Sequence, residues 1–567
     1  ERFESVWRSR MDYLSNPLIL KQALDEYADL VAVFGDGGLE GFHLWLQAQK
    51  DQTNTDVRAL RNTFTEFKDQ QLLKVDFFRL NLGMINDKTQ QVFLSHVALK
   101  ECRHFLERIF TQAKHQLSEP EEKIMTLKAK TSYSNWVEMV SSFLSKEERE
   151  VLLPDGTRAL RSFSAIDSLL KHEHKTVRDE AARQFNVILA KHRESAEAEI
   201  NSLLENHRTN CVLRGYTRAD QPRHLDDDIS TEAVDALLDT VEARFDLSQR
   251  YYRLKARLFG VTALEYHERN VPYGKVARAF TFDESAQLVG TVLKGLHSRF
   301  GTIFERFLQH GQVDVYPAKG KRAGAFCVWW SARYPTYVML NHTNTLKDVL
   351  TLAHEFGHAI NAELSKKQNA LQFDTPISFA EVTSTFMEDF VLDELLKDAD
   401  DELKLALAMM KLDSDVSTIF RQVAGYRFEQ ALHRLAAEKG YVSLAEIGSL
   451  FQKHMAAHLG DAVALSPGSE NWWISWTQTH FYKYFYIYSY AFGLLSSKRL
   501  QSSVRKDGSF IEHVENIFSA GNSKSPQELF ASIGFDITDK RFWNEGLDEF
   551  ERLLSETEEL ARKMGKI

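Results

Sequence analysis

Apolar residues recur at helical spacing along most of this chain. Leu18, Leu20, Ala23, Leu24, Tyr27, Leu30, Val31 and Phe34 form one stripe, and the glycines from Gly35 to Gly38 end it. The stretch from Asp56 to Phe78 repeats the pattern. Phe93, Val97, Leu99, Phe105, Ile109 and Phe110 predict one long helix over Thr89 to Gln116. Ser118 ahead of Glu119 and Pro120 marks a fresh helix start, and Leu153-Pro154-Asp155-Gly156 marks a turn. Ser164 to Leu204 interleaves acids and bases and reads as a solvated helix. Ser230 and Thr231 cap a helix predicted to reach about Leu258, and residues 276–310 give a helical pair. Between Gln312 and Met339 the period changes. Val313, Val315, Phe326, Val328, Trp329, Trp330, Tyr337 and Val338 are strand formers, punctuated by Pro317, Gly320, Gly324 and Pro335. One small sheet is predicted there, the one clear β region of the chain. From Thr345 onward the pattern is helical to the end.

Composition agrees with that pattern. The 567 residues contain only 27 Gly and 10 Pro, so turns are few and elements long. Hydrophobic residues make 43% and charged residues 26%, as expected of a chain that buries a core. A net charge of −10 weighs against general attraction to nucleic acid. Cys102, Cys211 and Cys327 are scattered, which excludes a disulfide framework and a cysteine-based zinc site. Reduced thiols fit a cytoplasmic protein. The segment from Asn471 to Ser497 has one fixed charge, Lys483, but is rich in hydroxyl-bearing residues. It contains no apolar run of about 18 residues, so it reads as a buried or cleft-lining helix and not a membrane span.

His354-Glu355-Phe356-Gly357-His358 is an H-E-x-x-H motif. On a helix the two imidazoles, four residues apart, stack on one face and can aim at one ion. Glu355 is offset, where it can hold a water instead of the metal. Asn344 or Thr345 caps this helix, and Leu346, Val349, Leu350, Ala353, Phe356, Ile360 and Leu364 form its apolar face. Two histidines leave a catalytic zinc one protein ligand short. The positions where an extended motif would put glycine and histidine hold Asn361 and Leu364, so the third ligand comes from elsewhere. Downstream, Phe379, Val382, Phe386, Phe390 and Val391 predict a second helix carrying Glu381 and Glu388 on one face. A carboxylate at an apolar helix start is costly unless paired or metal-bound, which points to Glu381 as third ligand. Glu388, or Thr385 one turn away, is placed to brace a ligand histidine.

The block from Thr351 to His358, followed by Phe379-Ala380-Glu381-Val382-Thr383-Ser384-Thr385 and Glu388, resembles the M3 zinc metallopeptidases, in their oligoendopeptidase F branch. Gly324 to Cys327, Val338 to Asn341, Tyr252 to Arg257 with Val271 and Pro272, and the aromatic run from His480 to Gly493 extend the similarity. The resemblance implies a mainly α, two-lobed fold with a deep central channel and one small β-sheet next to the motif helix. An N-terminal helical lobe over 1–170 and a catalytic domain over 171–567 are expected. It implies one zinc ion per chain and short peptides as substrates, with no nucleic-acid or membrane partner. Glu355 is then the general base, which takes a proton from water and passes it to the leaving amine. His480 is implied to face the metal, and Tyr490 or Tyr486 to donate to the developing oxyanion. The sequence departs from better-known animal relatives by placing Tyr482 and Lys483 where their loop is glycine-rich. If Ala325, Phe326 and Cys327 form an exposed edge, an extended peptide could pair with it. Two other readings are a relative that trims dipeptides or single residues from C-termini, and a non-catalytic peptide-binding relative.

Overall fold

A computed structural model describes residues 1–35, 37–274, 278–476 and 483–567. The chain is mostly helical, 71%, with small sheets. Among the described residues no helix is long and apolar enough to cross a membrane.

Two apolar clusters hold the helices together. The first gathers Trp7, Tyr13, Leu24, Phe78, Phe93, Leu106 and Phe110 from the N-terminal helices. The second begins at Val137 and takes in the rest of the chain to Ala561. A helix of 39 residues, Lys175–Leu213, runs through the second cluster and buries Phe185, Ile188, Ile200 and Leu203.

Several predicted long helices are broken, each by an identifiable local competitor. Thr89 to Gln116 becomes Asp87–Ser95, a short 3₁₀ turn Val97–Cys102, and Arg103–Ala113. His96 sits between the first two with an extended backbone, and its Nδ1 accepts the N–H of Ala98 at 3.2 Å. Its side chain caps what would otherwise be helix interior. The helix starting at Thr231 stops at Ala243, and a second one, Phe245–Leu258, follows. Arg244 between them reaches Asp548 and Glu551 of the C-terminal helix Lys540–Lys563.

Two further small sheets accompany the expected one among the described residues. Glu148–Leu152 (β1) and Arg158–Ser162 (β2) form an antiparallel hairpin around the turn at Leu153 to Gly156. These strands are built largely of Glu, Arg and Leu, with only Val151 buried, so they lack the alternation that marks a strand. The turn supplies the missing signal. Asp155 Oδ1 accepts the Thr157 N–H at 2.9 Å, and Gly156 takes φ +83°. Leu264–Glu265 (β3) pairs with Val463–Ala464 (β7) in a second two-stranded contact.

The predicted sheet is present. Its strand order is Val313–Asp314 (β4), Tyr337–Met339 (β6), Phe326–Val328 (β5). β5 is antiparallel to β6 and lies at the sheet's edge. Asn341 donates from Nδ2 to the carbonyls of Arg322 and Gly324, which ties the loop before β5 to the strand that leads into the motif helix.

Buried polar groups fix the segment on which the aromatic run rests. Asp220 is 3% exposed and accepts two bonds from Arg218, one from Tyr426 at 3.1 Å and one from Gln430 at 2.9 Å. Burial alone would raise its pKa, but Arg218, His224 and Gln430 outweigh it and hold the carboxylate at about 2, below the ordinary 3.8. A depressed acid contributes stability above its unfolded pKa and loses it as pH falls through the folded value. The stability difference between wild type and Asp220→Asn is therefore expected to shrink by about 2 kcal/mol as pH falls through the 3.8 to 2 window. Guanidinium denaturation of both proteins at pH 5 and near pH 2 checks this. A difference that does not change with pH contradicts it.

Candidate active site

The motif helix spans Leu346–Ser365. Thr345 starts it: its hydroxyl and N–H both donate to Asp348 Oδ2, at 2.7 and 2.8 Å. One face buries Val349, Leu352, Phe356, Ile360 and Leu364, and Phe356 packs on Phe304 with ring centroids 4.4 Å apart. The other face presents His354 and His358 to the helix Ile377–Lys397, which carries the glutamates.

Two glycines make that approach possible. A Cβ on Gly357 would lie 2.4 Å from the Thr383 carbonyl and 2.5 Å from Ser384 Cα. A Cβ on Gly493, in the helix Tyr488–Lys506, would lie 2.7 Å from Glu381 Cβ. The glutamate helix is thus wedged between two helices, each in close contact through a glycine.

His354 Nε2 stands 3.6 Å from Glu381 Oε2, and His358 Nε2 stands 4.0 Å from the same oxygen. All three donor atoms lie within 4.8 Å of one another. Ligand atoms at ordinary zinc distances in a tetrahedron sit roughly 3.4 Å apart, so this set fits a tetrahedral ion after small adjustments. Two imidazoles and one carboxylate are also a donor set that zinc accepts. Glu388 meets Nδ1 of His354, which leaves Nε2 for the ion and fixes the ring's orientation. Thr385 does not brace a histidine. Its hydroxyl donates to the Glu381 carbonyl one turn back, at 2.6 Å, and so stabilises the helix backbone instead. Ser384 donates to Glu381 Oε2 at 3.1 Å, a contact that no sequence pattern announces.

In the metal-free chain the site's charges are strongly coupled. Burial favours neutral His354, but the bond and charge of Glu388, with Glu381 and Glu355, outweigh it and lift the imidazole to about 9. Burial and the neighbouring His354 charge push His358 down to about 4. Burial raises Glu355 to about 7.

Glu355 is 6% exposed, and the Cys327 N–H of edge strand β5 lies near enough to its carboxylate to oppose the rise that burial causes. The N–H and C=O of one strand residue point to the same side, so the Cys327 carbonyl also points out of the sheet. β5 thus presents the Cys327 backbone beside the general-base candidate, and Ala325 lies just ahead of the strand.

Two other triads have metal-ligand spacing, but cations already hold their carboxylates. Glu268, near Asp179 and His267, pairs with Arg178 at 2.7 Å and Lys175 at 3.2 Å. Glu515, near His297 and Glu512, pairs with Arg299 at 2.5 Å.

Residues 168–549 match peptidase family M3, and residues 82–141 match the oligopeptidase F model that accompanies it. The chain belongs to peptidase family M3. This family's members are metallopeptidases, and the relatives place the chain in the oligoendopeptidase F branch. The plasmid-encoded oligoendopeptidase F of Lactococcus lactis subsp. cremoris is 25% identical over 476 residues, covering 82% of this chain and 78% of its own. Group B oligopeptidase PepB of Streptococcus agalactiae is 26% identical over 548 residues, covering 93% and 88%. The crystal structure of oligoendopeptidase-F from Enterococcus faecium superposes with a TM-score of 0.71 at 20% identity, covering 97% of this chain and 93% of that one.

In this M3 peptidase the expected aromatic residues divide into two groups. His480 falls in 477–482, outside the described residues. Tyr484 and Tyr488 are tied inward, to the Leu203 carbonyl at 3.0 Å and to Asp227 Oδ2 at 2.8 Å. Tyr486 and Tyr490 have their hydroxyls 3.5 Å from each other, and Tyr490 is 36% exposed. Tyr490 lies one turn before Gly493, on the side of its helix that meets Glu381. A cavity of about 1090 Å³ lies between the N-terminal helices and the end of the 39-residue helix. Ile109, Tyr133, Asn210 and Arg223 line it, and it reaches Lys483 to Phe485. None of His354, Glu355, His358 and Glu381 lines it; the donor geometry, not the cavity, locates the candidate site.

Proposed function

We propose that this peptidase is a zinc endopeptidase of short, unstructured peptides, with one zinc per chain on His354, His358 and Glu381. The observation that carries the reading is the convergence of those three donor atoms beside a buried Glu355. The names of its relatives, oligoendopeptidases and oligopeptidases, support the substrate class. Bound zinc would supply a Lewis acid that polarises the scissile carbonyl and acidifies a water.

The chain's own groups supply the rest. Edge strand β5 aligns the extended peptide through the outward backbone of Cys327. Glu355, beside the Cys327 N–H, takes the proton of the attacking water and returns it to the leaving amine. Tyr486 or Tyr490 is given the role of phenolic donor to the carbonyl oxygen, beside His480. Glu388 holds His354 in the tautomer that keeps Nε2 free. Free Cys102, Cys211 and Cys327 support a reducing, cytoplasmic setting.

A peptide acetylated at its N-terminus and amidated at its C-terminus tests the reading. Mass spectrometry should find one acetylated and one amidated fragment, the products of an internal cut. A chelator should abolish them and added zinc restore them. Trimming from one end, or cleavage indifferent to chelation, overturns it. Glu388→Ala should weaken zinc binding by about 10- to 100-fold, read by competition with a chromophoric chelator. Unchanged affinity would show that Glu388 does not support the ligand.

A further inference from the structure

Phe485 has φ +59°, the left-handed region, although it is a fully buried aromatic residue. Such a conformation persists only where its surroundings over-determine it. Here they come from one stripe of the helix Phe420–Lys439, at four-residue steps. Arg421 lies over the Trp476 ring at 4.6 Å. A Cβ on Gly425 would stand 3.1 Å from both Ile487 Cδ1 and Trp476, so this glycine admits the chain on both sides. Glu429 Oε1 accepts the Phe485 N–H at 2.8 Å. The His433 ring packs on the Phe485 ring with centroids 4.7 Å apart.

Glu429 is the polar member of that stripe. It is 1% exposed, and its Oε2 has no partner among the described residues. Burial raises its pKa well above the ordinary value, against the smaller opposing effect of the Phe485 N–H. An apolar side chain would pack in such a place at lower cost. What the carboxyl adds is an acceptor for the backbone N–H of a residue in a strained turn. That turn has a consequence for the tyrosines. Immediately after it the chain enters the helix Tyr488–Lys506. Tyr484 and Tyr488 are tied inward, while Tyr486 and Tyr490 leave their hydroxyls side by side.

We propose that Glu429 is a positioning residue that holds Phe485 in its left-handed turn and thereby sets the direction of the Tyr486 and Tyr490 hydroxyls. Its bearing on catalysis rests on the proposed role of those tyrosines; the positioning itself does not.

The test uses the full-length chain with 3-fluorotyrosine at position 490. Glu429→Gln retains an acceptor for the Phe485 N–H, and Glu429→Met removes it at similar volume. The ¹⁹F resonance should stay in place in the Gln variant and shift or broaden in the Met variant. With an internally quenched peptide, kcat of the zinc-loaded Met variant should fall by about ten- to a hundredfold with KM nearly unchanged. The Gln variant should recover most of it. A folded Met variant with the wild-type resonance overturns the proposal. A moved resonance with unchanged kcat supports the positioning and refutes the tyrosines' part in the reaction. Amide exchange in the unsubstituted chain gives a second check, independent of whether the Met variant folds. The Phe485 N–H should be protected like the surrounding core, and fast exchange overturns the proposal.

Discussion

Glu355→Gln is expected to bind zinc as the wild type does and to lose peptide hydrolysis by about 10²- to 10⁴-fold in kcat. The substitution keeps shape and keeps an oxygen for the Cys327 N–H, so the helix and the edge strand have no reason to move. Among the described residues it removes the carboxylate beside the proposed ligands that is neither a proposed ligand nor braced against one. Glu381 shares an oxygen between the two histidines, and Glu388 is committed to His354. The amide cannot take a proton from water, so the loss falls on kcat while peptide binding persists. Replacing a 6% exposed carboxylate by a neutral amide also removes a desolvation cost, so the variant should be at least as stable as the wild type. Elemental analysis with steady-state kinetics on a quenched peptide checks both halves. A zinc-loaded Glu355→Gln protein with wild-type kcat refutes the assignment.

The second large effect is on stability. Asp389, Lys411, Asp415 and Lys498 form a buried quartet, each 7% exposed or less. Lys411 reaches Asp389 at 2.8 Å and Asp415 at 2.7 Å, and Lys498 reaches Asp415 at 2.8 Å and Asp389 at 3.4 Å. The four charges sum to zero and join the glutamate helix, the helix Asp401–Thr418 and the helix Tyr488–Lys506. Lys411→Met leaves two buried carboxylates with one cation, a fault that costs about 3–5 kcal/mol. By contrast, Lys21→Met breaks an exposed pair with Asp25 and should cost less than about 1 kcal/mol. Guanidinium denaturation of the two variants measures the contrast. Equal, small losses would show that the quartet does not hold these helices together.

The three candidate donors were legible because their chemistry is local. His354 and His358 share a helix face by spacing alone, and Glu381 is a carboxylate at an apolar helix start. Helix existence was legible for the same reason, since one apolar stripe reports one buried face. The helix breaks at His96 and Arg244 were not, because each depends on where one polar side chain finds a partner. The β1–β2 hairpin was hidden by residues that favour helix when considered singly. Nothing in the sequence marks Lys411 and Lys498 as buried, because they and the acids they meet lie on three separate helices. Gly357 stood inside the motif in plain view, yet its need for close backbone approach appears only when Thr383 and Ser384 are placed against it. The division of the tyrosines into inward and outward pairs depends on the turn at Phe485, a conformation that an aromatic residue gives no reason to expect.

The most direct test is anomalous diffraction at the zinc edge from crystals of the zinc-loaded chain. A single peak about 2.0–2.2 Å from His354 Nε2, His358 Nε2 and a Glu381 carboxylate oxygen is the predicted result. A zinc peak elsewhere, or no peak among these three side chains in a zinc-saturated crystal, contradicts it.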